Sequence, residues 1–217
     1  RATLHAPVLD LNPVSVNPEI ADVSRRHVCD SVRLAGRTGF SLVTVHPGRR
    51  TAKRPPGPDD LARFDLYVRD LHEVSEETGV KIAMENMENR VNSLVSTPES
   101  MSSLLDREGW LSFTLDLCHA MAGGRDVARR YVELCGDRLV NVHVSAEKDG
   151  KKHLPPSGDP GVTAILEQLS AEGYDGHLTL EIEDLCLPRA LSCEEKISLV
   201  SRELSHVKKI FGESTNL

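Results

Sequence analysis

Six short apolar stretches of this 217-residue chain stop at a side chain able to ligate a metal ion or carry a proton. The six ends are Leu4-His5, Val45-His46, Met84-Glu85, Leu115-Asp116, Val142-His143 and Leu180-Glu181. With 33 acidic residues and nine histidines in the chain, chance puts such a residue at about one position in five, so six such ends ask for a common cause. Imidazoles and carboxylates gathered at one point repel or desolvate one another unless a cation sits among them. Neutral His nitrogen and carboxylate oxygen suit Zn²⁺, Mn²⁺, Co²⁺ or Fe²⁺. Two more histidines follow closely: His119, three residues beyond Asp116 in LDLCHA, and His153, in the Gly/Pro-rich stretch EKDGKKHLPPSGDPG. Each residue taken singly has a plainer reading. A lone His5 or His46 at a strand end more often makes a structural hydrogen bond, Asp116 and Glu181 suit helix caps or ion pairs, and His153 suits a solvated loop. His27, His72, His177 and His206 fall on helices or at a strand start and are read as structural. The Cys118 thiol is read as packing. The joint pattern carries the metal reading.

The elements that must position these residues alternate along the chain. Strands are predicted over 2–6, 40–46, 80–86, 111–116, 138–144 and 177–182, with helical patterns in most of the gaps. In 18–36, Ile20, Val23, His27, Val28, Val32 and Ala35 recur at steps of three and four, as do Leu61, Phe64, Val68, Leu71 and Ser75 in 59–78. Thr97 followed by Pro98 predicts one helix start, and Ser192 with Glu195 has capping-box spacing at another. Gly36, Gly39, Gly79, Gly109 and Gly173 are expected to close helices. Repeated β–α alternation with apolar strands means an α/β fold with a parallel sheet covered by helices, either doubly wound or a (β/α) barrel. A dinucleotide-binding open sheet would carry GxGxxG after an early strand, and none is present. A barrel delivers the C-terminal ends of its strands to one mouth, which is where catalysis sits.

Composition narrows the partners. A net charge of −7 offers no global attraction to nucleic acid or to an anionic membrane. No apolar run reaches the roughly 20 residues needed to span a bilayer, and no signal peptide is visible. The five cysteines (29, 118, 135, 186, 193) are odd in number and lack CxxC spacing, as expected of reduced thiols in a cytoplasmic protein. No linker or composition shift marks a boundary, so 1–217 is expected to be one domain. The first residue is Arg, and RATLHAPV already reads as a strand entering a turn, so the protein is expected to begin upstream.

The stretches LVTVHPG, IAMENM, TLDLCHA, VNVHVS…KKHLPPSG and LTLEIED together resemble the xylose isomerase-like TIM-barrel superfamily, which contains endonuclease IV and many sugar isomerases and epimerases. The resemblance implies a (β/α)8 barrel of which this chain supplies strands three to eight, without the first two βα units. A six-strand piece cannot close an eight-strand barrel, so an open side or exposed apolar edges are expected. By motif, the core metal ligands would be Glu85, Asp116, His143 and Glu181, the set used by single-metal sugar enzymes of the superfamily. The endonuclease IV pattern adds His5 and His46 for a second zinc sharing Glu85. A third zinc would use His119, His153 and an Asp two residues before the latter, where this chain has Lys151. Asp149 is nearby but out of register, and the loop from His143 to His153 is shorter than in the endonuclease.

Two functions follow from the resemblance. The first is a divalent-metal-dependent isomerase or epimerase (Zn, Mn or Co) acting on a sugar or sugar phosphate. Glu85 and Glu181 would be the catalytic acid–base pair, moving a proton through a metal-stabilised enediolate. His5, His46 and His119 would contact substrate where they do not ligate, joined by Arg49 and Lys151. The basic loop HPGRRTAKR suits a substrate phosphate, with Arg90 adjacent, although a solvated loop is an equally good reading. The alternative is a zinc-dependent endonuclease cutting DNA at abasic sites, supported by the extra histidines. It is opposed by Lys151, the acidic balance and only eight aromatic residues for stacking.

Overall fold

The structure, a computed structural model, describes residues 2–212 and divides into two compact units, 1–114 and 115–217. Unit 1 begins with β1 (Leu4–His5), α1 (Pro18–Thr38), β2 (Leu42–Val45) and α2 (Pro58–Thr78). It continues with β3 (Lys81–Glu85), α3 (Pro98–Arg107) and the first three residues of β4 (Ser112–Asp116). These strands are parallel and neighbours in sequence pair: Leu4 with Val43, Val43 with Ile82, Met84 with Phe113. Each of these helices has a proline in its first turn, and at α1 and α3 the side chain of the preceding residue meets an orphan N–H. Asn17 accepts from the amide of Glu19 at 3.0 Å, and Thr97 from that of Ser100 at 3.2 Å. The core of this unit joins Val28, Val32 and Ala35 of α1 to Phe64, Tyr67, Val68, Leu71 and Val74 of α2 and to Val43, Ile82 and Met84 of the sheet. Burying each of the larger side chains contributes about 1.5–3 kcal/mol.

Unit 2 starts with the last two residues of β4 and continues through α4 (Leu117–Met121), α5 (Arg125–Cys135), β5 (Leu139–Val144), β6 (Ala146–Lys148) and β7 (Lys151–Leu154). It closes with α6 (Pro160–Ala171), β8 (His177–Leu180) and α7 (Cys193–Phe211). β5 and β8 are parallel, with His143 opposite Thr179 and Val144 opposite Leu180. Tyr131 and Val132 of α5, Val142 and Val144 of β5, and Ile165, Leu166 and Leu169 of α6 form its core with Leu199 and Val207 of α7. Ser192 and Glu195 form the expected capping box at the start of α7. Among the described residues no helix is long and apolar enough to cross a membrane.

Four expectations are corrected. Gly36 does not end a helix: α1 runs on to Thr38, and Gly39 (φ +82°) is the left-handed cap. Gly36 instead allows a close approach, since a Cβ there would lie 3.3 Å from the Cβ of Thr78. Gly109 is one residue too late, because Glu108 caps α3. Ile20, Val23 and Leu61 carry the helical period but are exposed, while Tyr67 and Val74 are buried. The stretch expected as a loop around His153 is an antiparallel hairpin, β6 with β7, turning on Asp149 (φ +54°) and Gly150 (φ +77°). Two consecutive positive φ values make the two-residue turn whose twist matches a hairpin.

One buried acid organises the entry to α2. Asp60 accepts from the Gly57 amide at 2.9 Å, meets Arg50 Nε at 3.0 Å, and pairs with Arg63. The Gly57 hydrogen bond, with the two guanidiniums, holds its carboxyl below the usual range despite burial. Asp60→Asn should therefore cost about 2–3 kcal/mol, read by denaturant titration at neutral pH. Because the folded-state pKa lies below the unfolded one, the ionised carboxylate stabilises the fold above the ordinary value of 3.8. That contribution fades as the pH falls through the lower folded value. The gap between wild type and Asp60→Asn should narrow on acidification, and a gap that widens would contradict it.

Candidate functional site

In unit 1 the strand ends bring three donors together. His5 ends β1, His46 follows β2, and Glu85 ends β3. Parallel pairing in register leaves these ends adjacent along one edge of the sheet. Glu85 is buried, and its Oε2 lies 3.1 Å from His5 Nε2 and 3.2 Å from His46 Nε2. The two imidazoles meet edge to face with centroids 5.0 Å apart. His5 Nδ1 is 2.7 Å from the Ala6 carbonyl oxygen. A carbonyl only accepts, so Nδ1 carries the proton. In the neutral ring Nε2 then turns a lone pair toward a carboxylate oxygen, an arrangement satisfied by a shared proton or a shared cation. A backbone carbonyl fixing the far nitrogen of the ring is the support metal-binding histidines use. The three ligand atoms lie within 4.8 Å of one another.

In unit 2 five donors converge. Asp116 ends β4, is fully buried, and accepts from the His119 amide at 2.7 Å, so it caps α4 as well as facing the site. His143, on β5 and also buried, places Nδ1 2.9 Å from Glu181 Oε2 and 3.8 Å from Asp116 Oδ2. Glu181 follows β8 and its side chain is 37% exposed. Ligand atoms of Asp116, His153 and Glu181 lie within 4.8 Å of one another. His119 and His153 meet edge to face at 5.9 Å. Two sets of nitrogen and carboxylate oxygen, each built on one buried carboxylate, Glu85 in the first and Asp116 in the second, are a donor chemistry that fits a divalent ion.

The hairpin is what presents His153. Its backbone is left-handed (φ +49°), a conformation uncommon outside glycine and frequent at functional sites. Contacts on three sides hold it there. Its amide donates to Cys118 Sγ at 3.4 Å, its carbonyl accepts from the Glu183 amide at 2.9 Å, and its Nδ1 is 3.3 Å from the hydroxyl of Ser145. Burial pushes the Cys118 thiol up to about 12, as suits a packing residue. Ser145, buried directly after β5, is a contact the sequence reading missed; its only signal was its place after His143 in VHVS. Arg49 and Lys151, the expected substrate contacts, are both exposed, Arg49 three residues beyond His46 and Lys151 at the start of β7.

The four histidines read as structural play no part in either cluster. His72 stacks on Trp110 with centroids 4.7 Å apart, His206 Nε2 is 3.3 Å from the Thr163 hydroxyl, His177 starts β8, and His27 is exposed on α1.

The chain is 30% identical over 210 residues to the uncharacterised protein MJ1188 of Methanocaldococcus jannaschii, covering 95% of this chain and 76% of that one. Among solved structures it is similar to a D-allulose 3-epimerase from Methylomonas sp., with a TM-score of 0.76 at 20% identity, over 96% of this chain and 76% of that one. Endonuclease IV from Thermus thermophilus matches with a TM-score of 0.69 at 19% identity, again over 96% and 76%. Identities that low show the fold alone. The profile described as "Xylose isomerase-like TIM barrel" matches residues 1–206, so the chain belongs to that family, and its α/β architecture is of the TIM-barrel type.

Proposed function

We propose that the protein is a divalent-metal-dependent isomerase or epimerase of a sugar or sugar phosphate, with Glu85 and Glu181 as its proton carriers. The observation that carries this reading is Glu181: part-exposed, yet with one oxygen 2.9 Å from buried His143. A carboxylate held by a buried imidazole on one side and open on the other can take a proton from a substrate carbon and return it. Glu85, buried between His5 and His46, is the second carboxylate, and the substrate passes through an enediolate between the two transfers. Glu85, Asp116, His143 and Glu181 would hold a zinc, manganese or cobalt ion. Its charge would polarise the substrate carbonyl and orient two adjacent oxygens. His5, His46, His119 and His153 either extend the ligand set or orient hydroxyls. The resemblance to a solved D-allulose 3-epimerase is consistent with this reading.

The His5–His46–Glu85 trio favours a second reading, a multi-metal hydrolase cutting DNA at abasic sites, like the endonuclease IV it resembles. Exposed Lys151, at the place of the third site's acid, and the net charge of −7 count against it. Elemental mass spectrometry on protein purified without chelator separates the two. About one ion per chain, lost in Glu181→Gln, together with uptake of solvent deuterium into a ketose, is the expected result. Two or three zincs and a nicked abasic duplex would replace this reading with the hydrolase.

A further inference from the structure

The loop that follows His46 is clamped at its start and charged along its length. Gly48 has φ +78°, and a Cβ there would meet Val14 Cγ2 at 2.9 Å and Asn12 Oδ1 at 3.0 Å, so only glycine makes this turn. The Asn12 side chain then accepts from the Arg49 amide at 3.2 Å and donates to the Arg49 carbonyl at 2.8 Å. One residue on, Asn92 does the same for Arg50, its carbonyl accepting from the amide at 2.9 Å and its side chain donating to the carbonyl at 2.8 Å. Two asparagines from two neighbouring loops thus fix the backbone at 49–50, and a bridge between Arg49 and Ser93 adds to it.

The cations on this frame divide into two groups. Arg50 is buried against Asp60, and Arg90 is paired with Glu88 at 2.8 Å. Arg49, Lys53 and Arg54 are exposed and have no carboxylate in ion-pair reach among the described residues. Three uncompensated cations in six residues are unusual on a chain of net charge −7. Chain length places the Arg49 backbone within roughly 11 Å of His46.

We propose that Arg49, Lys53 and Arg54 form a phosphate subsite next to the His5–His46–Glu85 cluster, so that the substrate is a phosphorylated sugar. The inference rests on the isomerase reading and names its substrate class. A phosphate monoester carries nearly two charges at neutral pH and three acceptor oxygens. Arginine meets it with a fork and lysine as a point charge. At Arg49 the backbone is fixed in advance by Asn12, which leaves only the side chain to order on binding there.

Calorimetric titration of the metal-loaded protein with D-arabinitol 5-phosphate, D-arabinitol, inorganic phosphate and an abasic-site duplex tests it. The comparison is wild type against an Arg49→Ser/Lys53→Ser/Arg54→Ser variant, with Arg50 kept and melting temperature as the control for folding. The phosphorylated polyol should bind at least about tenfold tighter than the free one, and the variant should lose that preference. Equal affinity for both polyols, or a preference surviving in the variant, would overturn the subsite and leave the isomerase reading standing. Binding of inorganic phosphate alone, abolished in the variant, would keep the subsite and remove the isomerase reading. A duplex bound with steep salt dependence through these residues, without preference between the polyols, would overturn the sugar source in favour of nucleic-acid phosphate.

Discussion

Glu181→Gln should lower turnover at least about a thousandfold and leave the fold intact, because a positioned acid–base group contributes roughly 10²–10⁴ in rate and a metal ligand is removed with it. The amide keeps the shape and the contact with His143 but cannot accept a proton from carbon. Glu181 is part-exposed at the end of β8, so the exchange leaves no buried void. The sharpest readout is wash-in of solvent deuterium at the substrate carbon, measured by mass spectrometry. It should vanish in the variant even where substrate still binds. Exchange at the wild-type rate would remove Glu181 from the proton path, whatever its part in holding metal.

Asp116 is expected to separate metal binding from folding. Its Oδ1 caps α4 through the His119 amide at 2.7 Å, while Oδ2 faces His143 at 3.8 Å. Asn keeps the capping oxygen and replaces the other with an NH₂ that cannot ligate; Ala removes both. Loss of a partner that merely supports a metal ligand typically costs 10–100-fold in affinity, so Asp116→Asn should weaken metal binding by more than about 100-fold. In chelator, its melting temperature should stay near that of wild type, or rise, because one buried charge has gone. Asp116→Ala should bind metal as poorly and also lose about 1 kcal/mol of stability with the cap. Metal titration and chelator melting curves on the two variants give the answer. Wild-type metal affinity in both would take Asp116 out of the ligand set.

The candidate site residues were legible because strand ends announce themselves. An apolar run such as LSFTL has to stop at the surface of the sheet, so the charged residue after it, Asp116, is located by the pattern alone. The same reasoning placed His5, Glu85, His143 and Glu181 within a residue of the strand ends observed. Periodicity was a poorer guide to which helical face is covered. Leu61 and Phe64 share a helical pattern, yet Leu61 is exposed and Phe64 buried, since the covering partner lies on another element.

The hairpin at 146–154 shows a signal present but unread. Asp149-Gly150 between Lys148 and Lys151 is turn chemistry for two positive φ values, but lysine-rich flanks lack the alternating apolar pattern that marks a strand. What holds this hairpin is distant in sequence: the thiol of Cys118 and the amide of Glu183, both bonded to the His153 backbone.

Residue type and order were enough to establish the alternation of strands and helices and the set of metal-capable side chains, because each follows from local pattern, while the family came from the resemblance of five motifs to a known superfamily. Which of two adjacent arginines is buried against Asp60 and which stays free in solvent depends on neighbours far along the chain. So do the proton on His5 Nδ1, set by the Ala6 carbonyl, and the pairing of both His5 and His46 with a single oxygen of Glu85. Burial, tautomer and shared contacts are properties of the packed environment, and packing is where residues 40 or 80 positions apart first meet.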